Sequence, residues 1–394
     1  MKNILDIGVR FPSANVHVEA CLTAGPVPEV HMLPSPKGGP EAMWFCFDVT
    51  AHATPAPERI RCVLHNPDTL LGGGKAETGF HPVYRTHEQD WQRVEQVTAT
   101  EAPDGRRLVA WEVPGNAGCV RVALCYPYAE AEFQALTEAL RPEFRSDTIG
   151  VTQEDRPLIR LSNDGGASAP TRPGIYCLAR QHAGETPGSW VLDGLLRELA
   201  QRGDEAPLTW AVPWVDPDGV MGGCYGKDRF PWDFNRAWGS HGYPDSAQPE
   251  AGTHPMRYEV MCLQADIRRW SRRCRPLMAL DFHAPGMCED AGIYCFLREL
   301  AADGGLLPRD RDAVTAFHEA LGPLTADPFY RSGRYASRWN TARFGDFMTA
   351  AMQIPEYTFE VPYGRIPAGI LTRDMYRDAG RRLADAVCRL AGQA

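Results

Sequence analysis

Lysine is nearly missing from this chain. Of its 41 basic residues only Lys2, Lys37, Lys75 and Lys227 are lysine, a bias we read as codon usage rather than function. Positive charge is short overall: the formal net charge is -9, which argues against a nucleic-acid or anionic-membrane partner. No apolar run is long enough to span a bilayer. The opening "MKNILDIGVRFPSANV" carries Asp6 and has no useful apolar stretch, so it is not expected to be a signal peptide. The twelve cysteines are scattered from Cys21 to Cys388 without one CxxC pair, and in a chain of this size they read as reduced, mostly buried thiols in a cytoplasmic protein. Internal repeats and low-complexity segments are missing too. None of this fixes the oligomeric state, and a homo-oligomer stays open.

What is present is an ordinary soluble globular composition, 44% apolar and 23% charged, over 394 residues. That length suggests two domains. Up to about residue 130, short runs such as "EAMWFCFDVTA", "RIRCVLHN", "RRLVAWEVP" and "GCVRVALCYPY" alternate with Pro/Gly/Asp turns, the rhythm of an antiparallel β-sandwich. "AEAEFQALTEALRPEF" has helical periodicity and forms a junction. Beyond it, strand-like runs ("PLIRLS", "GIYCLARQ", "PLTWAVPWV", "PLMALDFH", "GIYCFL", "EYTFEVP") alternate with helical stretches near 186–202, 254–273, 308–321, 343–353 and 371–391. This pattern predicts an α/β domain with a mixed or largely parallel sheet. The expected class is therefore α/β, with a β-sandwich domain at 1–142 and a layered α/β/α domain at 143–394.

Four segments carry chemistry. "GIYCLARQHAGETPGSW" is a strand that opens into a polar loop with His182 and Glu185 just before a helix. Ligands of open α/β sheets gather beyond such strand ends, and histidine with carboxylate suits a divalent metal. The plain alternative is a surface histidine near a helix-capping glutamate. "RPLMALDFHAP" ends a second apolar strand on His283, and two strand-end histidines with a nearby glutamate fit one site better than three accidents. "WDFNRAW" sets Asp233, Asn235 and Arg236 among aromatics. A partly buried arginine beside an asparagine suits a planar carboxylate; the alternative is an ion pair with Asp233. In "PEYTFEVPYG" the lone acid Glu360 sits in a β-prone run, which is costly unless the carboxylate is paired or functional, or unless the strand is an edge with Glu360 facing solvent.

Together, "RQHAGETPGSWVLDGLL", "VPWVDPDGVMGG", "DFNRAW", "LDFHAP" and "YTFEVPYG" resemble the zinc carboxypeptidase (funnelin) family, most closely its cytosolic carboxypeptidase branch. "WFCFDV" and "VALCYPY" resemble the β-sandwich that precedes the catalytic domain in that branch. The resemblance covers nearly the whole chain. It implies one Zn2+ on His182, Glu185 and His283 with an open fourth position for water, Glu360 as general base, Asp233 orienting the first histidine, and Asn235 with Arg236 gripping the C-terminal carboxylate of a peptide or protein.

The chain departs from the family pattern in the loop before "DFNR". An oxyanion-stabilising arginine is expected there; this chain offers Lys227 and Arg229 in "CYGKDRF". The pocket tyrosine implied by the family is assigned to Tyr335, with Tyr330 in reserve. Arg343, in "NTARFGDF", resembles the basic residue that gives the branch its preference for C-terminal glutamate; "SGRYASRW" also offers Arg334 and Arg338. Two other readings compete: a zinc-dependent deacylase of N-acyl amino acids, against which the position of the sandwich speaks, and a non-catalytic peptide- or sugar-binding protein, against which an intact Glu360 and ligand set speak.

Overall fold

The computed structural model describes residues 5–39, 41–67, 79–166, 169–227, 233–239, 257–332 and 341–393. The first ten strands form two five-stranded sheets. In one, Leu5–Gly8, Cys46–Ala51, Cys119–Ala123, Val83–Arg85 and Gln92–Arg93 follow each other antiparallel. The other contains His17–Leu22, Glu29–Leu33, Arg59–His65, Arg107–Pro114 and Thr98–Glu101. Its pairing departs from the expected antiparallel pattern at one point: Glu29–Leu33 runs parallel to Arg59–His65. Hairpins force antiparallel neighbours, but between these two strands the chain leaves to build Cys46–Ala51 in the first sheet, so its return can be parallel. The inward side chains of both sheets meet: Phe45 stacks on Trp111 with centroids 5.9 Å apart, and Phe80 meets Trp111 edge-on at 5.4 Å.

From Arg145 onward the chain builds an eight-stranded mixed sheet in the order Arg145–Val151, Pro157–Ser162, Leu208–Val212, Pro173–Ala179, Arg275–His283, Glu356–Glu360, Ile293–Phe296, Thr325–Arg331. Its four central strands, Leu208–Val212 to Glu356–Glu360, are mutually parallel. Burial on both faces explains their near-continuous apolar runs. Ile175, Cys177 and Ala179 join the core that holds helices Thr186–Arg202 and Arg373–Gln393, while Tyr176 and Leu178 face helix Tyr258–Trp270 through Val260, Leu263 and Ile267. The first two helices cross closely. A Cβ on Gly194 would lie 2.1 Å from the Arg377 carbonyl oxygen, so only glycine permits that approach.

The sequence pattern misses the two edge strands of this sheet. Arg145–Val151 is largely exposed, and Thr325–Arg331 contains Pro328, which cannot donate to a ladder. The helix expected over 343–353 is a single turn, Phe344–Asp346, continued by the wider turn Phe347–Ala351. Among the described residues no helix is long and apolar enough to cross a membrane, and no disulfide joins any of the twelve cysteines.

Candidate metal and catalytic site

Three parallel strands, Pro173–Ala179, Arg275–His283 and Glu356–Glu360, end on the same side of the sheet, with His283 paired to Glu360 in register. Beyond the first of them the chain turns sharply. Arg180 adopts a left-handed backbone (φ 65°), uncommon for a residue with a side chain. Its buried guanidinium holds the turn by donating from Nε to the Ala183 carbonyl at 2.7 Å and from an Nη to the Tyr128 carbonyl at 2.9 Å. Burial pulls its pKa down to about 10, so it remains charged at neutral pH. This loop delivers His182 and Glu185 to the sheet end, and Pro187 then opens helix Thr186–Arg202.

The two histidines are wired alike. His182 Nε2 lies 2.9 Å from Asp233 Oδ1 and His283 Nε2 lies 2.9 Å from Asp281 Oδ2. Each Nδ1 is 2.8 Å from an oxygen of Glu185, Oε1 for His182 and Oε2 for His283. Glu185 also accepts from the Tyr225 hydroxyl at 3.1 Å and from the Ala284 N–H at 3.0 Å. All three residues are buried, at 7%, 2% and 3% exposure for His182, Glu185 and His283. The plain reading of His182 as a surface residue therefore fails.

Burial alone would lower the histidine pKa values. Glu185 with Asp233 raises that of His182, and Asp281 with Glu185 raises that of His283. Burial likewise opposes the charge on Glu185, yet the two histidines hold its carboxyl well below the usual range. One donor atom from each of the three residues lies within 4.8 Å of the others. Two imidazole nitrogens and a carboxylate, each fixed from behind by a second polar group, are a donor set for a divalent metal, which would displace the protons shared among them.

A cavity of about 480 Å3 opens over this centre. His182, Glu185, His283, Lys227, Asn235, Arg236, Arg343 and Glu360 all line it. Asn235 is pinned by accepting the Phe344 N–H at 2.9 Å on Oδ1, and its Nδ2 lies 3.3 Å from His283 Nε2. Arg236 is buried and donates to the Asn235 carbonyl at 2.8 Å. It is 4.0 Å from Asp233, whose closer partner is His182, so the ion pair with Asp233 is a long one. Lys227 Nζ is 2.8 Å from Glu41 and 4.0 Å from Asp233. Burial works against its charge, but Asp233 and Glu41 raise its pKa. Glu360 belongs to a strand paired on both sides, not to an edge. Burial pushes its carboxyl up to about 7, with His283 drawing it down and Glu185 pushing it up, and its buried Oε2 has no hydrogen-bond partner among the described residues.

Arg229, Tyr335, Arg334 and Arg338 lie outside the described residues. Tyr330 belongs to strand Thr325–Arg331, opposite Cys295.

Sequence reasoning passed over four groups at this site. Asp281 stands two residues before His283 and Glu356 four before Glu360, each on the same strand face, so alternation could have found both. Tyr225 and Glu41 carry no local signal. Glu41 reaches the cavity only because the N-terminal region packs against the sheet end, where Trp44 donates to the Ser13 carbonyl and Asn15 to the Gly223 carbonyl.

No family model matches the chain. Mouse cytosolic carboxypeptidase 1 is 30% identical over 197 residues, 44% of this chain and 15% of that protein. Human cytosolic carboxypeptidase 6 is 27% identical over 238 residues, 55% of this chain and 45% of that protein. The match thus spans less than half the length of each relative. Among solved structures, the metallo-carboxypeptidase from Burkholderia cenocepacia superposes with a TM-score of 0.75 at 20% identity, covering 99% of both chains. A carboxypeptidase from Burkholderia mallei gives 0.74 at 17%, covering 99% of this chain and 97% of that one. The chain thus shares its fold along its whole length with these metallo-carboxypeptidases and resembles the cytosolic carboxypeptidases over about half of its sequence.

Proposed function

We propose that the chain is a zinc-dependent metallocarboxypeptidase that hydrolyses the last peptide bond of a peptide or protein. We read residues 1–142 as a β-sandwich domain that closes one wall of the site through Glu41 and Met43, and 143–394 as the catalytic domain. Zn2+ is the metal suited to His182, Glu185 and His283; bound there, it would supply Lewis acidity towards a carbonyl oxygen and towards water.

The observation that carries this reading is Glu360. Its carboxyl is buried beside the ligand set, lacks a partner for Oε2 and is pushed up to about 7, close to the operating pH as a general base requires. In its ionised form Glu360 takes a proton from the attacking water and passes it to the leaving amine. Asn235 and Arg236 hold the substrate's terminal carboxylate, which turns binding energy into orientation. Lys227, kept cationic by its two acidic neighbours, is the described group best placed to face negative charge developing at the carbonyl oxygen. Asp233 and Asp281 fix the histidine rings through Nε2.

Arg343 lines the cavity and taken alone would favour an acidic leaving residue, but its charge is engaged by Asp346, 3.4 Å from its Nε. Twelve cysteines without a disulfide among them support a reducing cytoplasm. The strands that precede the catalytic sheet speak against a deacylase, and an unpartnered Glu360 oxygen speaks against a binding protein. The test compares peptides with free and amidated C-termini. Only the free form should be cut well, and Arg236→Ala should lose roughly 2–5 kcal/mol of transition-state binding. Equal cleavage of the two forms removes the exopeptidase assignment.

A further inference from the structure

The inner wall of the cavity holds a second carboxyl group. Glu356, Thr358 and Glu360 alternate on one face of their strand and all three line the cavity. Glu356 is only 5% exposed. Its one hydrogen bond among the described residues comes from the Thr358 hydroxyl, 2.7 Å from Oε1. The other oxygen, Oε2, occupies the place of a missing side chain: a Cβ on Gly345 would lie 2.5 Å from it. Glycine at 345 and glutamate at 356 therefore fit each other, and together they set a carboxyl into the wall.

From this geometry we infer that Glu356 determines which residue leaves, selecting lysine or arginine at the substrate's C-terminus. The inference rests on the carboxypeptidase reading. Four residues of strand separate Glu356 from Glu360, about 13 Å. A substrate whose terminal carboxylate is held at Asn235 and Arg236 has its last Cα near Glu360, so a long cationic side chain pointing along the strand ends beside Glu356, whereas leucine falls short.

The opposing charges are Arg343, Arg298, Asp346, Glu289 and Asp281. Arg343 and Arg298 both line the cavity, and both are ion-paired to Asp346. Their side chains are 22% and 42% exposed, so water screens them more than it screens Glu356. Glu289 is partnered by Arg331 at 3.4 Å. Burial and the nearby Asp281 push the Glu356 carboxyl up to about 8, with His283 and Arg343 pulling the other way. An entering ammonium or guanidinium replaces that held proton with an ion pair in a water-poor wall, where a neutral partner leaves the group undersatisfied.

The experiment uses the zinc-loaded full chain and peptides that differ only in the last residue: Arg, Lys, Leu or Glu. Arginine and lysine should leave with kcat/KM at least tenfold above glutamate. Glu356→Gln, checked for full zinc content, should cut the Arg:Leu ratio of kcat/KM by tenfold or more. Calorimetric titration with free arginine, leucine and glutamate gives a readout independent of turnover, and arginine should bind tightest. Fastest release of glutamate or leucine, with the Arg:Leu ratio unmoved in the variant, overturns the assignment while the carboxypeptidase reading stands. Tightest binding of arginine with no peptide cleaved does the reverse, and if the variant fails to fold the wild-type panel and titration decide alone.

Discussion

Strands Arg275–His283 and Glu356–Glu360 lie side by side and parallel, and each carries a pair of polar side chains towards the site. On the first strand, His283 has both ring nitrogens engaged, one by Asp281 Oδ2 and the other by Glu185, and Gln181 adds a donor to the same Oδ2, although Asp281 Oδ1 has no partner among the described residues. On the second, Glu360 leaves Oε2 unpartnered and Glu356 has a single hydrogen bond among the described residues. Carboxylates raise the pKa of His283 against burial, whereas burial itself raises both glutamates, to about 7 and about 8. On the proposed function, the contrast separates two duties. Groups that hold a metal need a closed network that fixes tautomer and angle. Groups that act on a substrate must keep capacity in reserve, and keeping it in a buried wall shifts their pKa.

Removing a member of the closed strand should have the largest effect. His283→Ala deletes one of three metal donors and strands Asp281 and Glu185 as buried acids. Metal analysis should find about one zinc per chain in the wild type and essentially none in the variant; full zinc in the variant would take His283 out of the site. On the open strand the analogous change acts on rate instead. Glu360→Gln keeps size and, with no structural partner lost from Oε2, should keep fold and zinc. It should lower kcat on the order of a hundredfold or more, and an unchanged kcat would reject Glu360 as the base.

How much of this was legible in the sequence follows from the same contrast. The four central strands of the eight-stranded sheet read clearly because both faces are buried and the runs are continuously apolar. The edge strands did not, because exposure and Pro328 erase the pattern. His182, Glu185, His283 and Glu360 stand out because a polar group at the end of an apolar run is conspicuous. Glu356 does not: it begins its strand, where "QIPEY" looks like an ordinary polar boundary, and only the packing of Gly345 shows where its carboxyl goes. Glu41 was invisible for a different reason, since its place depends on how two regions of chain dock.

A milder change on the closed strand sharpens the comparison. Asp281→Asn keeps the shape but removes the charge behind His283, and Asn can present the wrong group to Nε2. Zinc affinity, measured by competition with a chelator, should fall about 10- to 100-fold. Asp233→Asn should do the same through His182, given its matching 2.9 Å contact. An affinity change below twofold in both would mean that the aspartates merely fill space, and that the wiring of the first strand is no tighter than that of the second.

The smallest expected effect is on stability, and it comes from the open strand. The Glu356 pKa is raised from 4.5 to about 8 in the folded chain. Below about pH 4.5 the carboxyl is protonated in both folded and unfolded chains and contributes no pH dependence. Between about 4.5 and 8 the unfolded chain has released the proton while the folded chain still holds it. Folding then takes up a proton, so stability falls as pH rises through this window and levels off above it. Glutamine has no proton to lose, so Glu356→Gln should flatten this part of the profile. The charged groups around it, Asp281, Arg343 and His283, are common to both proteins, and the difference between the two profiles isolates position 356. Melting temperatures at pH 5.5 and 8.5 should show the variant gaining on the wild type by roughly a few degrees as pH rises. If the two profiles stay parallel, Glu356 is ionised throughout, and the uncommitted carboxyl that distinguishes this strand from its neighbour is already satisfied in the free protein.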